Sequence, residues 1–347
     1  MKKSTRRWLG LGVTAGVLGL VVYHLTRSPD WQNFDWNHLW RSLLHARPEY
    51  LLAAVAASYL TFLLRALRWR YFLDPIKRAS LWGLFAAQIL GFSSIYLIGR
   101  VGEAVRPAYI ARREDVPFAS QLAILLLERI YDTVATMTLF AMALRLEPTA
   151  RAAHLGEYAY TGLIFIALAV MGLVLFRLYS EPLTARVERA FSFLPSKWRS
   201  QLSRFLRSLS SGLDAIRDWR DLLASLACSV ALWFLNVSIF WLVFQSLGGA
   251  PAQVSWWGAA LTLVFAAAGL LVQLPGVGGG YQVLVIQALH IFHVEAQAAT
   301  GAGILAGVVA QVPCWALGLL ILLYEGLTFK KLGAIAKEER ATMEEKV

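Results

Sequence analysis

Six stretches of this chain, 8–25, 50–66, 117–144, 158–178, 222–247 and 299–326, are apolar over lengths close to or beyond those a helix needs to cross a bilayer. That length is roughly 20 residues. Inside a hydrocarbon core every backbone polar group must be satisfied by the chain itself, so uninterrupted apolar runs of this length can only be helices. The composition agrees. Of 347 residues, 58% are hydrophobic and 16% charged, with a mean hydropathy of +0.55. A soluble domain is about half apolar and a quarter charged. The net charge of +11 is no sign of a nucleic-acid partner, because the basic residues lie between the apolar runs. Facing anionic lipid on the cytoplasmic side is the simpler use of that charge. Cys228 and Cys314 fall inside apolar runs and read as small packing residues, not as a disulfide framework.

Two further apolar stretches, 80–112 and 254–292, are interrupted near their middles by IGRVGEAVRP and LPGVGGGYQ. The Lys and Arg distribution suggests how they run. MKKSTRR precedes the first run with no small-x-small cleavage pattern, so 8–25 is expected to be an uncleaved span with its basic end in the cytoplasm. The loop 26–49 is then external, and span 50–66 returns to the basic run RALRWR…IKR, with Arg65, Arg68, Arg70, Lys77 and Arg78. A full crossing by 80–97 would leave Arg100, Arg106, Arg112 and Arg113 outside, against the positive-inside bias. A re-entrant hairpin over 80–112 avoids this.

The expected architecture is therefore an all-α polytopic membrane protein, a single membrane domain over 1–347. It has about six full spans plus two re-entrant broken hairpins in an inverted repeat, with N and C termini cytoplasmic. Span 8–25 precedes the first repeat, 50–144 (hairpin 80–112); the second is 222–326 (hairpin 254–292), followed by a cytoplasmic tail, 327–347. Inverted repeats whose broken helices meet near the midplane are the architecture of many alternating-access transporters. The alternative is eight plain spans with two glycine kinks. The segment 179–221 between the repeats places Trp198, Leu202, Phe205, Leu206, Leu209 and Leu213 at helical spacing among basic residues. It is expected to be an amphipathic helix on the inner leaflet, either a lipid sensor or a basic linker.

Charge is concentrated between Gly99 and Asp132. Arg100, Glu103, Arg106, Glu128, Arg129 and Asp132 lie among segments apolar enough to be in a bilayer, where an ionisable residue is a functional candidate by default. Glu103 and Arg106 share a face if the hairpin's second arm is helical, and Pro107 is tolerated in that arm's first turn. Gly99 and Gly102 permit a sharp turn and close approach. Glu128 and Asp132 share a face of the following span, with Arg129 beside them. Three acids nearly balance three arginines. One reading is a neutral network locking hairpin to span. In the other, Arg100 and Arg106 bind a lipid phosphate bidentately, while Glu103, Glu128 and Asp132 serve as counter-ions or proton carriers.

The second tip, Pro275-Gly276-Val277-Gly278-Gly279-Gly280-Tyr281-Gln282, is uncharged. Its glycines could expose N–H groups to an anion or allow close helix packing. His290, His293 and Glu295 match no strong metal-ligand spacing, and no metal or cofactor is expected. The thirteen tryptophans, among them Trp31, Trp36, Trp40, Trp256 and Trp257, mostly fit an interfacial aromatic belt.

At these motifs the sequence resembles the lysylphosphatidylglycerol synthase transmembrane family, a flippase-like membrane region. The family's G-x-x-G-E-x-x-R motif is complete at Gly99, Gly102, Glu103 and Arg106, and its E-R-x-x-D motif at Glu128, Arg129 and Asp132. Its late P-G-G-x-G-x-x-E motif is degraded, because Pro275, Gly276 and Gly279 are in place but Gln282 stands where the family has Glu. The resemblance covers essentially the whole chain. It implies translocation of lipids between leaflets of a bacterial inner membrane, with phospholipids, aminoacylated phosphatidylglycerol, hopanoid-type lipids or polyprenyl-phosphate glycolipids as candidates. The soluble aminoacyl-transfer domain of the full synthases does not follow the last span, so no synthase activity is expected.

Three functions stay open at this point. The first is a flippase for an anionic or phosphate-bearing (glyco)lipid. The second is a non-transporting accessory subunit of a glycosyltransferase or lipid synthase. The third is an intramembrane lipid-modifying enzyme, for which no nucleophile next to a base is apparent. Membrane lipids are the expected partners, and the protein is expected not to be an enzyme.

Overall fold

A computed structural model describes residues 35–149, 219–269, 273–274 and 278–326, together with Ile164 and Glu338. The expected span 8–25, the expected span 158–178 (apart from Ile164), nearly all of 179–221 and the tail 327–347 (apart from Glu338) lie outside the described residues.

The described chain is helical apart from one two-residue ladder. In order it forms α1 (Trp36–Leu44), α2 (Pro48–Leu73), α3 (Leu81–Ile98), a 3-10 turn (Gly99–Ala104), α4 (Val105–Glu114) and α5 (Phe118–Leu146). After the second gap come α6 (Trp219–Leu247), a single turn at Gly249–Ala252, α7 (Trp256–Gly269), β1 (Gln273–Leu274), β2 (Gly278–Gly279), α8 (Gly280–Ile291) and α9 (Ala296–Glu325). By length and composition, Pro48–Leu73, Leu223–Leu247 and Ala296–Glu325 can each cross a membrane. Helix α5 is as long, 29 residues, but carries Glu128, Arg129 and Asp132 near its middle.

Both interrupted stretches fold back on themselves. A Cβ added at Gly102 would lie 2.4 Å from the Ser94 carbonyl carbon, one at Gly91 2.7 Å from the Arg106 Cβ, and one at Gly83 2.9 Å from the Arg113 Nε. Those pairs share a common midpoint near residue 98, so α3 and α4 run antiparallel at a separation only glycine permits. The second stretch repeats the device. A Cβ at Gly269 would lie 2.3 Å from the Gly280 carbonyl oxygen, and β1 pairs antiparallel with β2 through Gln273↔Gly279 and Leu274↔Gly278. Pro107 is the third residue of α4, inside its first turn as expected.

Helices α2 and α6 lie antiparallel, tied near one end by Arg68 Nη1 donating to Ser229 Oγ at 3.1 Å. At the other end the Arg47 N–H donates to the Ser246 carbonyl at 2.8 Å. Helix α9 closes the assembly. It contains Pro313, whose carbonyl accepts from the Tyr59 hydroxyl at 3.1 Å, and the next carbonyl, of Cys314, accepts from Ser93 Oγ at 3.0 Å. Of the apolar cores among the described residues, the two larger pack Phe62, Phe72, Leu90 and Ile124 around the first hairpin and Phe244, Leu261 and Leu289 around the second.

Two sequence expectations need correction. The region before Pro48 is not all loop: α1 forms there, capped by the Asp35 carboxylate, which accepts from the Asn37 and His38 N–H groups at 2.8 and 3.2 Å. Those two bonds hold the Asp35 carboxyl below its ordinary range. Helix α2 also does not stop at residue 66. It continues through Leu73, so Arg65, Arg68 and Arg70 belong to the span and not to a basic loop.

Candidate functional site

The extension of α2 builds the site. Arg65 and Arg68 are three apart on one face and meet Glu128 and Asp132, four apart on one face of α5. Arg68 Nη2 lies 3.0 Å from Asp132 Oδ1 and 3.6 Å from Glu128 Oε1. Arg65 Nη1 lies 3.3 Å from Asp132 Oδ2 and 3.4 Å from Glu128 Oε1. Arg106 enters from α4, donating through Nη1 to Glu128 Oε1 at 3.1 Å and to Gln88 Oε1 at 2.6 Å. Arg68, Arg106 and Glu128 are 0, 2 and 1% exposed, so this is an ion cluster withdrawn from solvent. Buried ions persist only when paired and hydrogen-bonded, and Glu128 has Arg65, Arg68 and Arg106 within 3.6 Å.

Aromatic rings enclose it. The Arg106 guanidinium sits 4.7 Å from the Trp69 ring centroid and 5.6 Å from that of Phe92, and Arg65 lies 5.1 Å from Phe92 on its own account. Trp69 is fixed in turn by donating Nε1–H to Gln121 Oε1 at 3.1 Å. One side is open. Arg129 pairs through Nε with Glu103 at 3.1 Å while its Nη2 lies 3.8 Å from Glu128 Oε1, the Arg129 and Glu103 side chains being 41 and 37% exposed.

Depth follows from helix rise. Arg68 is five residues from Leu73, Arg106 eight from Glu114 and Glu128 ten from Phe118. At 1.5 Å per residue the cluster lies about 8–15 Å in from that end of the bundle. At this same end Arg113 and the Tyr109 hydroxyl both engage the Glu325 carboxylate at the close of α9.

The expected site residues thus separate. Arg106, Glu128 and Asp132 come together, while Glu103 and Arg129 form the rim. Glu103 and Arg106 do not share a face as expected: the backbone passes from a 3-10 turn to an α-helix between them, so Glu103 turns outward to Arg129 and Arg106 inward. Gly102 supports the hairpin contact described above. Gly99 and Arg100 fall in the 3-10 turn, and the Arg100 side chain lies outside the described residues, as do Pro275 and Gly276. Gly278 and Gly279 pair in the β ladder, which occupies part of the tip backbone read as open to an anion. Gly280 opens α8 against Gly269, and the Gln282 amide nitrogen lies 3.8 Å from a Cβ position on Gly307 of α9.

Sequence reasoning missed Arg65, Arg68 and Gln88. A signal for the arginines was present: Ala54, Ser58, Thr61, Arg65, Arg68 and Phe72 recur at three- and four-residue steps, the phase of the buried α2 face. Among the described residues no group of three His, Cys, Asp or Glu is placed to hold a metal ion. Chemically, guanidiniums held by exchangeable carboxylate partners suit the capture of an oxyanion.

The family model described as the lysylphosphatidylglycerol synthase TM region matches residues 7–318. A comparison with curated proteins finds no match.

Proposed function

Because the chain belongs to the lysylphosphatidylglycerol synthase transmembrane-region family, we propose that it is a flippase-like membrane protein that moves an anionic or phosphate-bearing lipid between leaflets. The observation that carries this is the buried set Arg65, Arg68, Arg106, Glu128 and Asp132 adjoining the half-exposed pair Glu103–Arg129. In this reading a headgroup phosphate first displaces Glu103 from Arg129, then exchanges with Glu128 for the deeper guanidiniums. The hydrocarbon chains stay in lipid while the charged headgroup travels inside protein, where its desolvation is offset by paired arginines. The protein's part is binding and passage, with no chemical step.

Two further features support the reading. Both interrupted stretches form glycine-tightened antiparallel hairpins, as two re-entrant elements of an inverted repeat require. Lys77, Arg78, Arg112 and Arg113 gather at the end of the bundle nearest the cluster, which we assign to the cytoplasmic side of a bacterial inner membrane. Gln282 is neutral and packed near α9, so proton coupling is assigned to the carboxylates of the cluster and not to the second hairpin.

The test is transport of labelled anionic lipid in proteoliposomes. Arg106→Ala and Glu128→Gln are each expected to lower the rate at least about ten-fold, the loss of about 1.4 kcal/mol of binding or barrier. Unchanged rates in both variants remove the assignment.

A further inference from the structure

The buried charges do not cancel. Arg65, Arg68 and Arg106 bring three positive charges against two on Glu128 and Asp132, a surplus of one among the described residues. The rim pair Glu103–Arg129 is neutral as a unit and leaves that surplus in place. Beside it, two buried N–H donors meet no acceptor among the described residues, Arg106 Nη2 and Gln88 Nε2.

Those two donors belong to one bonded unit. Gln88 is 0% exposed, and its Oε1 accepts from Arg106 Nη1 at 2.6 Å. That bond orients the amide, since its NH2 group cannot face a guanidinium that only donates. The Arg106 guanidinium packs against the Trp69 and Phe92 rings, and the stem of its side chain runs beside Gly91 between α3 and α4. Missing acceptors and missing negative charge therefore occur at the same place.

We propose that Gln88 and Arg106 form an oxyanion subsite for one singly charged phosphodiester group, with Arg106 Nη2 and Gln88 Nε2 as its donors. The inference rests on the lipid-binding reading above and narrows its substrate class. A phosphodiester carries one negative charge and cancels the surplus. A phosphomonoester carries about −1.5 to −2 near neutral pH and overshoots it. A zwitterionic headgroup brings a cation of its own to a site already rich in guanidinium. A glutamate at position 88 would neutralise the cluster from within, whereas the neutral amide leaves the deficit for a ligand. Gln88 is in this sense a specificity-determining residue.

The experiment compares thermal unfolding of the detergent-purified full chain with short-chain phosphatidylglycerol, phosphatidic acid and phosphatidylcholine as probes. Wild type is expected to be stabilised by phosphatidylglycerol at concentrations about ten-fold lower than by the other two. Gln88→Glu is expected to unfold at a higher temperature than wild type without ligand and to lose the phosphatidylglycerol shift. Gln88→Leu keeps the surplus but loses one donor, so the preference for the diester falls at least about three-fold. A lower unfolding temperature for Gln88→Glu, or an unchanged diester preference in Gln88→Leu, overturns the subsite. Transport that depends on Arg106 together with headgroup preference indifferent to Gln88 removes the subsite alone. Transport indifferent to Arg106 removes the flippase reading, whatever the binding data show.

Discussion

Arg68 and Asp132, from helices α2 and α5, meet at 3.0 Å, and the other guanidinium nitrogen of Arg68 reaches Ser229 of α6 at 3.1 Å. One side chain thereby fastens three helices at a depth where water is scarce. Replacing Arg68 with Met strips a buried carboxylate of its nearest partner, and breaking such a pair costs about 3–5 kcal/mol. Adding Asp132→Leu to that variant removes the stranded charge and is expected to restore much of the loss. Chemical denaturation of the Arg68→Met and Asp132→Leu single variants and of the double variant in one detergent reads this coupling; strictly additive losses would contradict it.

Glycines in the first hairpin and on α9 differ in what a methyl group would meet. At Gly102 it would press on the Ser94 backbone at 2.4 Å, at Gly91 on the Arg106 side chain at 2.7 Å, and at Gly307 on nothing nearer than 3.8 Å. Backbone yields less than side chain. Gly102→Ala is therefore expected to cost the most, toward the upper part of the about 1–3 kcal/mol usual for overpacking. Gly91→Ala should cost less and displace Arg106, and Gly307→Ala should be near neutral. Unfolding midpoints for the series check the order.

Glu325 joins Arg113 and Tyr109 at the end of the bundle, with Arg113 34% and Glu325 15% exposed in their side chains. Solvent screens a pair so placed. Glu325→Gln is expected to lower global stability by under about 1 kcal/mol. Its local effect should be larger: amide exchange in the last turn of α4 is expected to quicken while the core of α2 stays protected. Uniform loss of protection across both helices would speak against a local clasp.

The Asp35 cap sets a pH response for α1. Its carboxyl is held below the ordinary 3.8 by the Asn37 and His38 N–H groups, so its stabilising effect is complete above that value. The effect fades as acid reaches the still lower folded value. Exchange at the Asn37 and His38 amides, corrected for its intrinsic pH dependence, should stay flat from neutrality to about pH 5 and rise only in stronger acid. Asp35→Ala should abolish that flat region.

Much of this arrangement could be read from residue order. Glu128 and Asp132 stand in an apolar helix at a four-residue step, and both hairpin breaks were marked by glycine. Arg65 and Arg68 were obscured because a basic run after an apolar stretch is also what a cytoplasmic anchor looks like. Only the helical phase, continued for two more turns, separates the cases. The divergence of Glu103 and Arg106 was not readable, since it depends on a 3-10 turn giving way to an α-helix between them, and local composition does not encode that change of pitch. Gln88 was hidden for another reason: a neutral amide in an apolar segment gains meaning only from the charge it fails to cancel.

Glu128 has partners on two bodies, Arg106 on the hairpin and both Arg65 and Arg68 on α2. If the hairpin rocks as a unit, its own arginine departs and the other two remain in reach. The carboxylate then keeps two guanidinium partners on α2, so such a displacement would not leave a bare buried charge.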